Sequence, residues 1–329
     1  MPRTVEQVTP QDAGKRVDRW FKDHYPHVPF GRLQKSMRTG EIRLNGKRVK
    51  GNERIDTGDE IRVPPFPPAD GSAPASKPKR PSLSPDLVAE VRSWILYQDD
   101  DLIVLNKPPG LATQGGSGQG NKHLDAYLDA FDRVDGIRAK LVHRLDKDTS
   151  GAILIARTTK SAGFLAKAFQ SRTADKRYLA VSVGVPDPKS GEVRLKMEKA
   201  PGATGEKMIV DDENGKPSRT LFSVVDHAGK TTALVALKPL TGRTHQLRLH
   251  LSTIGCPIVG DGKYGGQEAY LTGSISRKLH LHSHQLIIDH PKGGQLTVSA
   301  PLPRHMQETL DSLGFTLQDD VDPFDDEDF

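Results

Sequence analysis

The sequence predicts an α+β fold, with flanking helices packed on a mixed, mainly antiparallel sheet. Three features of the 329 residues lead there. Beyond residue 94, short β-type runs outnumber the segments with helical spacing. Before residue 63, two helical patterns are followed by short alternating runs. Between these parts, residues 64–85 hold eight prolines and almost no apolar side chains.

The amino-terminal elements come first. Val17, Trp20 and Phe21 stand at helical spacing, and so do Phe30, Leu33 and Met37 after Pro29. Ile42 and Leu44 alternate with polar residues, and Asn45-Gly46 signals a tight hairpin turn. Ile61 and Val63 make another short strand after Gly58-Asp59, so residues 1–63 form a small α+β unit. Residues 64–93 read as an extended proline-rich linker that cannot bury a core.

Residues 94–307 form the larger unit. Residues 94–97 and 102–105 are strands about the turn Asp99-Asp100-Asp101, and Leu124, Leu128 and Phe131 mark a helix. Ala152-Ile153-Leu154-Ile155-Ala156 is a strand, and Leu165, Ala168 and Phe169 mark the next helix. Residues 178–185, 220–225, 232–237, 286–288 and 296–299 all read as strands, with Lys216-Pro217-Ser218 as a turn. Leu247, His250, Leu251 and Ile254 form the apolar face of a further helix.

Composition narrows the partners. No apolar run reaches the roughly 18 residues of a membrane span. The first residues lack the apolar stretch of a secretory signal, and the lone Cys256 suits a reducing compartment, so the expected location is cytoplasmic. Cys256 reads as a small buried apolar residue. The net charge of +5 hides a division: residues from Glu308 onward carry nine acidic side chains and no Lys or Arg. The rest holds 47 basic against 33 acidic side chains, which points to a polyanion, most often nucleic acid. Residues 308–329 form an acidic tail, and residues 319–329 are expected to be disordered.

The most informative run is His143-Arg144-Leu145-Asp146-Lys147-Asp148-Thr149-Ser150-Gly151, a polar stretch between two apolar ones. Such an interruption is a loop at a strand end, where folds hold reactive groups on a rigid frame. Arg144 and Lys147 flank Asp146 and keep its carboxylate ionised, as a nucleophile or charge stabiliser requires.

His143-Arg144-Leu145-Asp146 with Thr149-Ser150-Gly151 resembles the signature of the RluA-type pseudouridine synthases, which isomerise uridine in RNA. Asn106-Lys107-Pro108-Pro109-Gly110-Leu111, Lys176-Arg177-Tyr178, residues 241–250, Gly260-Asp261-Gly262-Lys263-Tyr264-Gly265 and residues 279–284 resemble the family's other motifs, in its order. Residues 14–63 resemble an S4 RNA-binding domain, and Gly115-Gly116-Ser117-Gly118 is most similar to the C-type subgroup acting on large-subunit ribosomal RNA.

The resemblance implies an isomerase that needs neither cofactor nor metal. It implies Asp146 as the catalytic carboxylate, Arg243 as its cationic partner, and Tyr178 as a ring that stacks on uracil and relays a proton. Leu247, Lys107 and Arg144 are expected to bind substrate: Leu247 under the base, Lys107 at phosphate or as a brace of the loop. His143 is expected to be a structural hydrogen-bond partner. His280, His282 and His284 alternate, a spacing that permits zinc, although no acidic or cysteine ligand completes a set. In the first unit Arg32, Lys35 and Arg38 form a stripe, and with Lys47 and Arg48 they are expected to contact phosphates. The expected partner is large-subunit ribosomal RNA or a pre-ribosomal particle, bound by a monomer. Alternatives are transfer RNA, another ribosomal site, or a non-catalytic RNA-binding assembly factor. A glycoside hydrolase would need two positioned carboxylates, and only Asp146 stands out.

Overall fold

The structure, a computed structural model, describes residues 4–10, 12–66, 83–115, 122–132, 138–200, 207–317 and 322–324. It divides into two units, Met1–Ser82 and Leu83–Phe329.

In the first unit, β1 (Thr4–Gln7) is followed by α1 (Val17–His24), α2 (Phe30–Arg38), β2 (Arg43–Leu44), β3 (Lys47–Arg48) and β4 (Glu60–Val63). The strands form an antiparallel sheet in the order β1-β4-β2-β3. Asn45 (φ 49°) and Gly46 (φ 78°) both take the left-handed conformation that a two-residue hairpin turn requires. α1 buries Val17, Trp20 and Phe21, and α2 buries Leu33 and Met37. Phe30, expected beside them, is 63% exposed. It is the first residue of α2, ahead of the turn that meets the core. β1, a polar segment, was not anticipated, and Phe66 joins the core beyond the expected boundary at residue 63.

The second unit begins with α3 (Pro85–Ser93), which corrects the expected linker over residues 64–93. Pro85 sits at the start of the helix, where its missing N–H costs nothing, and Ser84 caps the N-terminus by accepting from Leu87 N–H at 3.3 Å. Val91 is fully buried, with Leu87 and Val88 packed beside it. Residues 67–82 of that segment lie outside the described residues, as do Gly116-Ser117-Gly118.

There follow β5 (Ile95–Gln98), β6 (Leu102–Lys107), α4 (Leu124–Tyr127), β7 (Lys140–Leu141), β8 (Ser150–Ala156), α5 (Thr159–Ser171) and β9 (Asp175–Val183). Next come β10 (Ser190–Lys199), β11 (Met208–Val210), β12 (Lys216–Ala228), β13 (Thr232–Pro239), α6 (Gln246–Thr253), β14 (Leu281–Asp289), β15 (Gln295–Ser299) and α7 (Arg304–Leu313). The sheet runs β11-β10-β12-β13-β9-β14-β8-β6-β5, with β15 on β14 and β7 on β8. Its neighbours are antiparallel except β8 and β14, which run parallel, so the sheet is mixed and mainly antiparallel. Both faces are covered, since Tyr178 and Ala180 of β9 join one apolar cluster while Leu179 and Val181 join another.

Two features fix how the strands meet. Gly151 has φ 108°, and a Cβ there would lie 2.2 Å from the Ser283 carbonyl oxygen, so only glycine lets β8 approach β14. Lys216-Pro217-Ser218, expected as a turn, instead begins β12 and pairs with residues 195–197 of β10. Pro217 is tolerated because β13 pairs with β12 only from Thr220 onward, leaving no ladder bond for proline to break on that side.

The tail also differs from expectation. Asp322 pairs with Arg177 at 2.6 Å, and Phe324 packs on the cluster around Leu179, its ring 6.0 Å from Lys238 Nζ. Residues 318–321 and 325–329 lie outside the described residues. Among the described residues no helix is long and apolar enough to cross a membrane.

Candidate active site

The polar run between β7 and β8 is clamped on both sides of Asp146. Leu145 is buried, and Thr113 Oγ1 both accepts from its N–H (3.1 Å) and donates to its carbonyl (2.6 Å). The Lys147 carbonyl accepts from the Gly110 N–H at 2.9 Å and from Lys107 Nζ at 3.2 Å. Lys107 Nζ also donates to the carbonyls of Pro108 (3.0 Å) and Leu111 (2.9 Å). Lys107 is 0% exposed, and burial pulls its pKa down to about 7 against the raising effect of Asp148 and Asp146. Its three donors are used on the loop backbone, so Lys107 braces the loop and does not reach phosphate. Between these clamps the Asp146 side chain keeps 27% exposure and faces a cavity of about 690 Å³.

His143 sits behind the loop. Its Nε2 accepts the Leu154 N–H at 2.8 Å, and its ring stacks on Phe169 with centroids 4.2 Å apart. Burial, with Lys176 nearby, lowers its pKa to about 3, so it is a neutral structural group, as expected.

The cavity is walled by Tyr178 from β9, Leu247 from α6 and Leu281 from the start of β14. Tyr178 is 9% exposed; burial raises its pKa to about 12, with the neighbouring Ser283 hydroxyl opposing and the Asp146 charge adding. Its hydroxyl therefore keeps its proton at neutral pH. Leu247 is buried and offers an apolar surface to the cavity. Arg144, exposed, stands at the rim.

The arginine assignment needs correction. Arg243 lies at the rim, its Nε donating to the Pro217 carbonyl at 3.3 Å. A buried arginine that shares the field of Asp146 is Arg248, five residues on. Burial acts to lower its pKa, but two 2.7 Å hydrogen bonds to Asp261 and the charges of Asp261 and Asp146 outweigh this and hold it above its ordinary value. The reason is backbone geometry. His245 takes a left-handed conformation (φ 52°, ψ 21°), and this turn into α6 carries Arg248 inward while Arg243 stays on the approach.

His245 is a further residue that the sequence reading passed over. It is buried, its Nε2 lies 4.0 Å from Asp146 Oδ2, and its Nδ1 meets the Tyr264 hydroxyl at 2.8 Å. The available signal was the motif Gly260–Gly265, which supplies Asp261 and Tyr264. The alternating histidines, by contrast, are engaged within the fold. His282 contacts Ser150 Oγ (2.9 Å) and the Ala300 carbonyl (3.1 Å), and His280 contacts the Lys278 carbonyl and Thr309 Oγ1, each at 2.8 Å. Among the described residues no group of three or more His, Cys, Asp or Glu is arranged to hold a metal ion.

This geometry suits a flipped nucleotide: a carboxylate, a buried guanidinium, a protonated phenol and an apolar shelf around one cavity. Comparisons with known proteins agree. The family model "RNA pseudouridylate synthase" matches residues 101–253. The ribosomal large subunit pseudouridine synthase C of Vibrio cholerae is 33% identical over 311 residues, covering 92% of this chain and 94% of that protein. The protein of the same name from Escherichia coli K12 is 34% identical over 324 residues, covering 94% and 96%. Among solved structures, human RNA pseudouridylate synthase domain containing 4 superposes with a TM-score of 0.60 at 30% identity, over 70% of this chain and 97% of that one. These matches, which span the clamped loop, the cavity walls and Arg248, show that the chain belongs to the RNA pseudouridylate synthase family.

Proposed function

We propose that this protein isomerises uridine to pseudouridine in large-subunit ribosomal RNA, with Asp146 as the catalytic carboxylate. The relatives that carry this activity in their names align over nearly the whole chain, first unit included. The observation that carries the reading is the Asp146 carboxylate, clamped at Leu145 and Lys147 and facing a cavity that also presents Tyr178, Leu247 and Arg248.

The reaction breaks N1–C1′, turns the uracil and joins C1′ to C5; the C5 proton leaves as N1 gains one, so no redox partner or hydrolytic water enters. Glycosidic cleavage leaves positive character on the ribose, which an ionised Asp146 stabilises or captures covalently. Arg248 keeps that carboxylate ionised. Tyr178, protonated at neutral pH, stacks on the base and offers a hydroxyl to the C5 proton relay. Leu247 supports the base, Lys107 holds the loop, and Arg144 and Arg243 at the rim meet flanking phosphates. Flipping the uridine from its stack costs a few kcal/mol. Phosphate contacts from the rim and from Arg32, Lys35, Arg38, Lys47 and Arg48 of an S4-like first unit offset that cost. The protein then acts as a cytoplasmic monomer on ribosomal RNA or a pre-ribosomal particle.

The test is chemical mapping of pseudouridine in large-subunit ribosomal RNA from cells lacking the gene, with complementation by wild type and by Asp146→Asn. Wild type restores the missing sites and Asp146→Asn restores none while still binding RNA. Full restoration by Asp146→Asn would sink the assignment of this carboxylate.

A further inference from the structure

His245 is a buried residue in a left-handed backbone conformation, beside the catalytic loop, and the mechanism above does not use it. Non-glycine residues seldom adopt that conformation, and when one does so at a functional site, something nearby holds it there. Here the holding groups form a chain. The Met208 backbone N–H donates to the Tyr264 hydroxyl oxygen at 3.0 Å. The same oxygen meets His245 Nδ1, 2.8 Å away. A Tyr264 hydroxyl hydrogen directed at Nδ1 makes that nitrogen an acceptor and leaves the imidazole hydrogen on Nε2. Nε2 lies 4.0 Å from Asp146 Oδ2, about 1 Å beyond a hydrogen bond.

Tyr264 is itself fixed. Ser252 Oγ donates to its carbonyl at 2.9 Å, and its N–H donates to Asp261 Oδ1 at 3.3 Å. Asp261 is also the bidentate partner of Arg248. One buried carboxylate thus anchors two arms that converge on Asp146: a charge through Arg248 and a dipole through Tyr264 and His245.

We propose that His245 is a positioning residue, held as the Nε2–H tautomer by a relay from the Met208 N–H through the Tyr264 hydroxyl, and that its Nε2–H sets the orientation of the Asp146 carboxylate toward the ribose. This rests on the pseudouridine synthase reading of the site. Burial, with Arg248 and Lys263 nearby and Asp261 opposing, brings the imidazole to a pKa of about 3, so it contributes a directed hydrogen and not a second positive charge. Groups one step behind a reacting residue typically change rates by about 10- to 100-fold, because small misplacements of the reacting atom are costly.

The experiment follows tritium release from a ribosomal RNA fragment labelled at uridine C5, with full-length wild type, His245→Ala, His245→Gln and Tyr264→Phe. Melting curves and 15N spectra of the histidine rings accompany the kinetics. His245→Ala lowers kcat about 10- to 100-fold with KM within about twofold of wild type. His245→Gln, whose amide nitrogen donates from a similar reach, recovers most of that loss. Tyr264→Phe lowers kcat about three- to tenfold and converts His245 from a single Nε2–H form to a mixture of tautomers. Unchanged kcat in His245→Ala, no rescue by glutamine, or an unshifted tautomer in Tyr264→Phe each overturns the relay. If His245→Ala does not fold, Tyr264→Phe decides alone. Wild type that releases no tritium would refute the synthase reading, while the 15N result would still decide the relay.

Discussion

The stripe cations of the first unit and the cations packed behind Asp146 in the second live in opposite surroundings. In the first unit Arg32, Lys35, Arg38, Lys47 and Arg48 are all exposed on α2 and the β2–β3 hairpin. In the second, Lys107 and Arg248 are buried and fully engaged, the first with three carbonyls and the second with Asp261. Exposed cations act through a high dielectric and are screened by salt, which suits them to attracting a polyanion, the role proposed for them. Buried ones are strong only in one geometry, and they hold a loop or a carboxylate in place. Substitutions should therefore differ in kind between the units: binding and salt dependence in the first, turnover and folding in the second.

The largest effect is expected at Arg248. The Asp261 side chain is 0% exposed, so Arg248→Gln leaves a buried carboxylate without its cation, at a cost of about 3–5 kcal/mol. Calorimetry should show the second unit melting much lower and the first unchanged. A second unit that melts as in wild type would break the contrast between the two sets of cations.

Acid sharpens the comparison next. Burial lowers the pKa of His143 and His245 from 6.5 to about 3, and of His250, His280 and His282 to about 4. The unfolded chain binds protons below pH 6.5 that the folded second unit refuses. The stabilisation is thus complete above pH 6.5 and lost as pH falls toward the folded values, by at most about 1.4 kcal/mol per histidine per pH unit. His24 and His27 of the first unit are exposed. Between pH 7 and 5 the second unit's transition should drop more than the first's; equal shifts would show that the buried histidines do not govern it.

The smallest effect belongs to the stripe. Replacing Arg32, Lys35 and Arg38 together by Glu should raise KM for ribosomal RNA about tenfold, flatten its salt dependence by about two to three ions, and leave kcat within about twofold. A fall in kcat with KM unchanged would move these residues out of the binding role.

What the sequence revealed follows the same division. Exposed charges at helical spacing and a polar run between apolar strands are local patterns, and both the stripe and the Asp146 loop were legible from them. The Arg243 assignment failed because two arginines stand five residues apart and only the left-handed turn at His245 decides which one faces inward. α3 was masked because a proline at a helix start reads like one more linker proline. β10 was legible but went unread: Val193, Leu195 and Met197 alternate with Glu192, Arg194, Lys196 and Glu198, the pattern of a half-buried strand. The brace by Lys107 and the clamp by Thr113 link residues 40 and 32 positions apart, beyond the reach of any local pattern.

The missing side chain at Gly151 carries one more consequence. It lets β8, which leads out of the catalytic loop, lie against Ser283 on β14, close to the wall residue Leu281. The gap between Asp146 and the wall is thus gauged by main chain against main chain, a rigid ruler that no rotamer can lengthen. A methyl group at this seam would push β8 from β14 and widen the slot, moving the Asp146 carboxylate away from the wall at Leu281.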